Sequence, residues 1–299
     1  MTPGNRVAAA FAAACAGIAL YAVMDAVMKG LSLAMGAYVA LFWRLVVGAG
    51  IMTPLFILSK PRVPERRILL IHFVRSMVIA VMALAFFWGI ARVPLAEAIA
   101  LTFIAPLIAL GLAALFLKEQ VGARSVLGSL LGLSGVAIIL VGQVRGDHGA
   151  GALAGMAAVL ISAVFYAINL VIARHQAQHA RPIEIAFFQN WFILVLLGLA
   201  APFLLTIPEA VYWPQIAAAA ALAVVSLLFL SWAYARAEAQ ILLTVEYTAF
   251  IWAAVMGWLF FGEAVTMVTI AGTVLIVAGC LLSARKPAQP LPEAEIATA

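Results

Sequence analysis

Between Val7 and Ser283 the chain is cut into ten predominantly apolar runs, each close to the ~20 residues an α-helix needs to cross a bilayer. They cover 7–29, 37–59, 67–91, 95–117, 123–142, 151–173, 183–205, 215–235, 239–261 and 264–283. The connections are short and carry turn signals, as in "KPRVPERR", "GQVRGDHGAG", "HQAQHARP" and "IPEAVYWP". In lipid, backbone polar groups must find partners within the protein, so helices and closed barrels are the spanning structures open to a chain. Runs of this length predict helices. Composition agrees: 67% of residues are hydrophobic and 10% charged, against about 45–50% and about 25% in soluble domains. A soluble protein of 299 residues could not hide that much hydrocarbon. The expected fold is an all-α integral membrane protein with ten transmembrane helices, its solvent the lipid bilayer.

The net charge of +5 could suggest a nucleic-acid partner. The basic residues sit at the ends of apolar runs, however, with no basic stripe interleaved with aromatics, so no nucleic acid is expected. With a cytoplasmic N-terminus, the inner side receives Arg6, Lys60, Arg62, Arg66, Arg67, Lys118, Arg124, Arg174, Arg181, Arg236, Arg285 and Lys286. The outer side receives Lys29, Arg92 and Arg145. Twelve against three is a positive-inside bias, which predicts a multi-pass protein of the inner (plasma) membrane with both termini cytoplasmic. The first apolar run continues to Met28, too long for a signal peptide's core, and reads as an uncleaved span. Cys15 and Cys280 lie inside apolar runs and read as small buried thiols without a partner.

Shifted by 144 or 145 residues, the sequence meets itself. "YAVMDAVMK" at Tyr21 falls on "YAINLVIAR" at Tyr166, and "LFWR" at Leu41 on "AFFQ" at Ala186. Trp88 and Arg92 fall on Trp232 and Arg236, and Glu119, Gly128 and Gly135 on Glu263, Gly272 and Gly279. Each copy holds five spans, an odd number, so the second enters the membrane upside down. Inverted five-helix repeats are a transporter signature, because two halves of opposite direction can exchange conformations around a midplane site. The expected units are a first repeat at 1–142, an external linker at 143–150, an inverted second repeat at 151–283 and a disordered cytoplasmic tail at 284–299. In the turn "ARVPLAEA", Arg92 and Glu97 are expected at the interface, where charge costs little. Pro106 should kink the fourth span near mid-depth. Phe250 stands opposite it in the second copy, which is therefore expected to run without that kink.

Ten spans in two inverted halves, each closing with a helix–Glu–helix hairpin ("ALFLKEQV", "GWLFFGEAV"), resemble the EamA family of the drug/metabolite transporter superfamily. The resemblance covers the chain except the tail, and among members of known activity the chain is similar to the YddG-type amino-acid exporters. It implies small-metabolite traffic through a central cavity, with amino acids as the first expectation. An importer or exchanger of another amphipathic or cationic metabolite, such as a nucleoside-linked sulfonium compound, and a drug exporter are the alternatives.

An ionisable side chain in hydrocarbon costs at least about 2.5–3.5 kcal/mol, so each one is a candidate for function. Asp25 and Arg44 should lie at similar depth in adjacent spans and are expected to pair. They read either as a static lock or as a clamp for a zwitterion, with Arg44 facing carboxylate and Asp25 ammonium; Arg44 could also snorkel. Arg75 and Glu246 lie at the opposite depth, for packing, substrate contact or, at Glu246, a coupling proton. His72 reads as interfacial. Asn169, Gln189 and Asn190 are interhelical glue or substrate contacts. The aromatics Tyr21, Trp43, Trp88, Trp191 and Tyr247 complete the candidate substrate site, while Tyr212 and Trp213 fit an interfacial belt. The small-xxx-small spacings Gly128–Gly132 and Gly151–Gly155 read as packing within a monomer.

No cofactor or metal is expected. His175-x3-His179 has helix-face ligand spacing but lacks the glutamate of a zinc motif and any further ligand cluster. No phosphate-binding loop of the G-x4-G-K-[ST] kind occurs, so this chain alone is no ATP-driven pump. The chain is not expected to be an enzyme, and a membrane-embedded enzyme remains the distant alternative.

Overall fold

The structure, a computed structural model, describes residues 3–60, 64–117, 123–145, 150–176, 179–234 and 245–284. The helices are α1 Pro3–Met35, α2 Ala37–Leu58, α3 Arg66–Ile90, α4 Leu95–Thr102, α5 Ala105–Leu117 and α6 Ala123–Arg145. They continue as α7 Ala150–Gln176, α8 Pro182–Gly198, the single turn α9 Ala201–Leu204, α10 Trp213–Tyr234, α11 Thr248–Phe261 and α12 Met267–Ala284. No strand occurs among the described residues. Five helical stretches are long and apolar enough to cross a membrane: Ala9–Met35, Ala37–Leu58, Arg66–Ile90, Gly151–Ala173 and Ala210–Leu230. Shorter apolar stretches are Leu95–Ala109, Val126–Gly142, Ile183–Gly198, Thr248–Phe261 and Met267–Leu282. Helix α1 runs past the expected end at residue 29, and the chain reverses at Gly36, whose φ of 83° suits a residue without a Cβ. Glu119, Arg236 and all but Ala284 of the expected tail lie outside the described residues.

Polarity is inverted relative to a soluble protein. Leu70, Leu130, Ile251 and Val274 are exposed, whereas Lys29, His72, Glu97, Asn169 and Gln176 are buried. Exposed hydrocarbon on every side is stable in lipid, and the buried polar groups then need partners inside the bundle. Lys29, Glu97 and His72 had been expected near the interface. They are interior because each finds such a partner: Lys29 a carboxylate, Glu97 the Thr269 hydroxyl at 2.9 Å, and His72 an amide and a carboxylate.

The two sequence copies interleave in space. With α1, α2, α3 and α6 aligned to α7, α8, α10 and α12, the first helix of each copy packs on the third of the other, α1 on α10 and α7 on α3. Helix α2 packs on its own counterpart α8, and α6 on α12. The α6–α12 crossing is reciprocal. A Cβ on Gly135 would stand 2.5 Å from the Gly272 carbonyl oxygen, and one on Gly279 only 2.4 Å from that of Gly128. Gly128 and Gly135 are the counterparts of Gly272 and Gly279, so each glycine meets the partner of the other, as across a two-fold axis. Position falls along one helix as it rises along the other, so the two run antiparallel.

Both copies break a helix at the same place. Between α4 and α5 the chain tightens at Phe103 and Ile104, whose amides donate to Ala100 and Leu101, and Pro106 starts the next helix. The expected kink is there, one turn earlier than the proline because its ring blocks the bonds of the preceding residues. The second copy was expected to lack it. Instead Val245 and Glu246 are helical, Tyr247 forms a turn, and α11 begins at Thr248. Tyr247 is the counterpart of Phe103, and the two rings meet edge to face at 5.2 Å and 90°. No proline is required, because tertiary contact holds the turn: the Tyr247 ring packs on Phe103, whose carbonyl accepts from the Cys280 thiol at 3.2 Å. Cys280 is thus not without a partner.

Candidate functional site

Small residues on α1 let other helices close in. Ala10, Ala14, Ala22 and Ala26 are buried, and Gly17 lies against Phe229 and Leu230 of α10. The same helix presents Tyr21 and Asp25, four residues apart and therefore on one face. Both are half-buried. Arg44 of α2 lies within electrostatic reach of both. Its guanidinium carbon lies 5.7 Å from the centre of the Phe87 ring, a cation–π contact, and its buried Nε has no hydrogen-bond partner. The expected pair is not a closed one: no nitrogen of Arg44 comes within 4.0 Å of an Asp25 oxygen. An unsatisfied guanidinium N–H is costly in an apolar bundle, so Arg44 is poised to receive an acceptor.

A second polar group runs along α7, where Tyr166, Asn169 and Gln176 share a face at helical spacing. Arg75 of α3 donates through Nε to Asn169 Oδ1 at 2.8 Å, and through Nη1 to Gln176 Oε1. Gln176 Nε2 lies 2.6 Å from His72 Nδ1, and His72 Nε2 lies 3.1 Å from Glu184 Oε1 of α8. The His72 ring stacks on Phe188 at 4.9 Å. Tyr166 is in electrostatic contact with Arg75, with Glu246 and with Tyr21. Tyr21 and Tyr166 are counterparts in the repeat, so the two clusters join through a symmetric pair. Polar groups therefore follow one another from Glu184 and His72 through Arg75 and Tyr166 to Tyr21, Asp25 and Arg44.

The other candidates are distributed around this path. Glu246 lies just before α11, beside Tyr166 and Tyr247. Gln189 is half-buried on α8. Asn190 donates to the Ala186 carbonyl at 2.9 Å and sits against Gly48 of α2. Trp191 bonds the Thr53 hydroxyl at 3.0 Å, and Trp43 bonds the Thr206 carbonyl at 2.9 Å while packing on Trp213. Trp88 is 38% exposed beneath the Arg92 guanidinium, which stacks on it at 3.5 Å. Trp43 and Trp191 thus tie helices or loops together.

Three groups escaped the sequence reading. Gln176 and Glu184 complete the His72 chain, and the three- and seven-residue spacing from Tyr166 through Asn169 to Gln176 was the available signal. The third is a clamp at the far end of α1. Lys29 bonds Glu263, in the turn between α11 and α12, and donates to the Val93 carbonyl at 2.7 Å. The second Glu263 oxygen accepts the Leu95 N–H at 2.8 Å. No single element shows this clamp, since Lys29 and Glu263 are 234 residues apart. Among the described residues no group of His, Cys, Asp and Glu could hold a metal ion.

Comparison with known proteins bears on what such a bundle does. The EamA-like transporter family matches this chain twice, at residues 8–141 and 153–285, close to the repeats seen in the sequence. The chain is 28% identical to the pseudopaline exporter CntI of Pseudomonas aeruginosa, over 89% of its own length and 92% of that protein. It is 28% identical to a "Probable terminal-alkyne amino-acid exporter" of Streptantibioticus cattleyicolor, with 67% of each chain covered. It is 30% identical to a riboflavin transporter of Rhizobium johnstonii, over 72% of this chain and 70% of that one. One crystal structure superimposes with a TM-score of 0.60 at 17% identity, covering 94% of this chain and 96% of that one, a likeness of fold alone. Matched over both halves, this multi-pass membrane protein belongs to the EamA-like transporter family and is a transporter of small molecules rather than an enzyme.

Proposed function

We propose that the chain is a secondary transporter of the inner membrane that exports amino acids or close derivatives by alternating access. Its ten spans form two inverted halves with both termini in the cytoplasm, and the antiparallel, reciprocal meeting of α6 and α12 supports that inversion. Two helices that break at equivalent positions, Phe103 and Tyr247, support a site at mid-depth, since interrupted helices line such sites in inverted-repeat transporters. The carrying observation is the open Asp25–Arg44 pair, with the Arg44 Nε buried and unsatisfied. A zwitterion closes it: substrate carboxylate accepts from Arg44 and substrate ammonium donates to Asp25. Tyr21, Tyr166 and Tyr247 then wall the side chain, with Glu246, Arg75, Asn169 and Gln189 further along the path. Names among the relatives, a pseudopaline exporter and an amino-acid exporter, fit a substrate of this chemistry.

The test is counterflow of a panel of labelled amino acids in proteoliposomes, with and without a pH gradient. Saturable exchange whose affinity Arg44→Ala weakens about ten- to a hundredfold, with the variant still inserted, is the expected result. A second reading is favoured by the tyrosines and by the riboflavin transporter among the relatives: a larger aromatic or cationic amphipath. Such a substrate needs no carboxylate partner, so its flux survives Arg44→Ala.

A further inference from the structure

The hydrogen bonds around His72 have only one consistent direction. Arginine can donate and never accept, so the Gln176 oxygen that meets Arg75 Nη1 must be the amide carbonyl. The Gln176 NH2 therefore faces His72 and donates to Nδ1 across 2.6 Å. Nδ1 is then without a proton, and the ring carries its hydrogen on Nε2, pointing at Glu184. A neutral imidazole at 1% exposure is thus locked into one tautomer by a guanidinium on the far side of an amide. The charged groups that the described structure brings to it are Glu184 of α8 and Arg75 of its own helix, with the neutral Gln176 from α7 and the Phe188 ring completing the surroundings.

From this geometry we propose that His72 is the binding site for a coupling proton, and that protonation there releases Arg75. An O–H bond of a hydronium ion breaks, its proton adds to the Nδ1 lone pair and water is left behind; no bond of the ring is broken. Nδ1–H is now a donor, so Gln176 must rotate its carbonyl toward it. Its NH2 then meets Arg75 Nη1, donor against donor, and that hydrogen bond is lost. Arg75 keeps Asn169 and is free to turn toward Tyr166 and the central path. The amide thus turns a proton at one end of the bundle into a moving positive charge near its middle. The consequence for flux rests on the transport reading above; the switch itself needs no substrate.

The experiment uses the full-length protein in lipid nanodiscs without substrate, with nitrogen-labelled histidine and arginine followed by NMR between about pH 5 and pH 8, where an imidazole changes charge. His72→Gln identifies the His72 signals and Arg75→Lys those of Arg75. At the alkaline end His72 is expected as the Nε2–H tautomer, and its protonation and the movement of the Arg75 Nη–H signals should coincide. Gln176→Glu keeps both partners but supplies an acceptor to each, so His72 should still titrate while Arg75 stays put. An Nδ1–H tautomer, a ring neutral across the range, or an Arg75 signal indifferent to His72 in the wild type overturns the proposal. In counterflow, His72→Gln should flatten the pH profile, and a preserved profile also counts against it. If no amino acid is carried but the two signals still move together, the substrate reading fails and the switch stands. The reverse result removes the switch alone.

Discussion

At the scale of single residues, a bilayer interior makes every charge a decision, and this chain resolves its charges in two ways. Lys29 and Glu263 are closed on each other and on backbone groups of the α3–α4 turn. Asp25 and Arg44 are left open. The first arrangement is for stability: removing one partner of a buried pair costs about 3–5 kcal/mol, because the other is left uncompensated. Glu263→Ala should therefore lower the thermal unfolding midpoint in detergent markedly, and Lys29→Met in the same chain should restore much of it. The second arrangement we propose to be for a guest. Charge-assisted hydrogen bonds are worth about 1.5–3 kcal/mol, so Arg44→Ala should weaken substrate affinity by about ten- to a hundredfold with little change in unfolding. Arg44→Lys should recover only part of it, since an ammonium cannot reproduce the planar fork. Equal thermal losses at both sites would erase the distinction. The sequence marked Asp25, Arg44 and Arg75 as interior by position alone. It could not show that Asp25 and Arg44 stand apart, or that His72 is buried, because both depend on side chains from helices distant in the chain.

Elements are where the repeat becomes mechanical. The shift of 144 residues that aligned Gly128 and Gly135 with Gly272 and Gly279 also says which glycines meet, and the structure brings those four to one crossing. Their lack of a Cβ is what lets the α6 and α12 backbones touch. A Cβ on Gly272 would come 2.5 Å from Ile139 and 2.8 Å from the Gly135 carbonyl, so Gly272→Leu should prevent close packing and cost at least about 1–3 kcal/mol. Gly30→Ala on α1, where a Cβ meets nothing within 4 Å, is the matched control and should be neutral or slightly stabilising. Detergent unfolding curves of the two variants check this pair. Helix positions were legible in the apolar runs because length alone sets them. The break at Tyr247 was not, because it has no proline: contacts from Phe103 and Cys280, on elements the local sequence does not contain, hold the turn.

For the whole molecule, we propose two oppositely directed halves around a polar path, with the Lys29–Glu263 clamp at one end and the His72 switch at the other. Family membership and the doubled match came from motifs visible in the sequence, whereas the interleaving of the halves, α1 on α10 and α3 on α7, appears only in three dimensions. The inversion is the claim on which the mid-depth site and alternating access both depend. Site-directed labelling tests it most directly. In a background carrying Cys15→Ser and Cys280→Ser, single cysteines at Gln120 and Ala264, in the two helix–Glu–helix hairpins, are probed in right-side-out and inside-out vesicles with an impermeant maleimide. The account predicts that Gln120→Cys reacts only from the cytoplasmic face and Ala264→Cys only from the external face; reaction of both from the same face would contradict it.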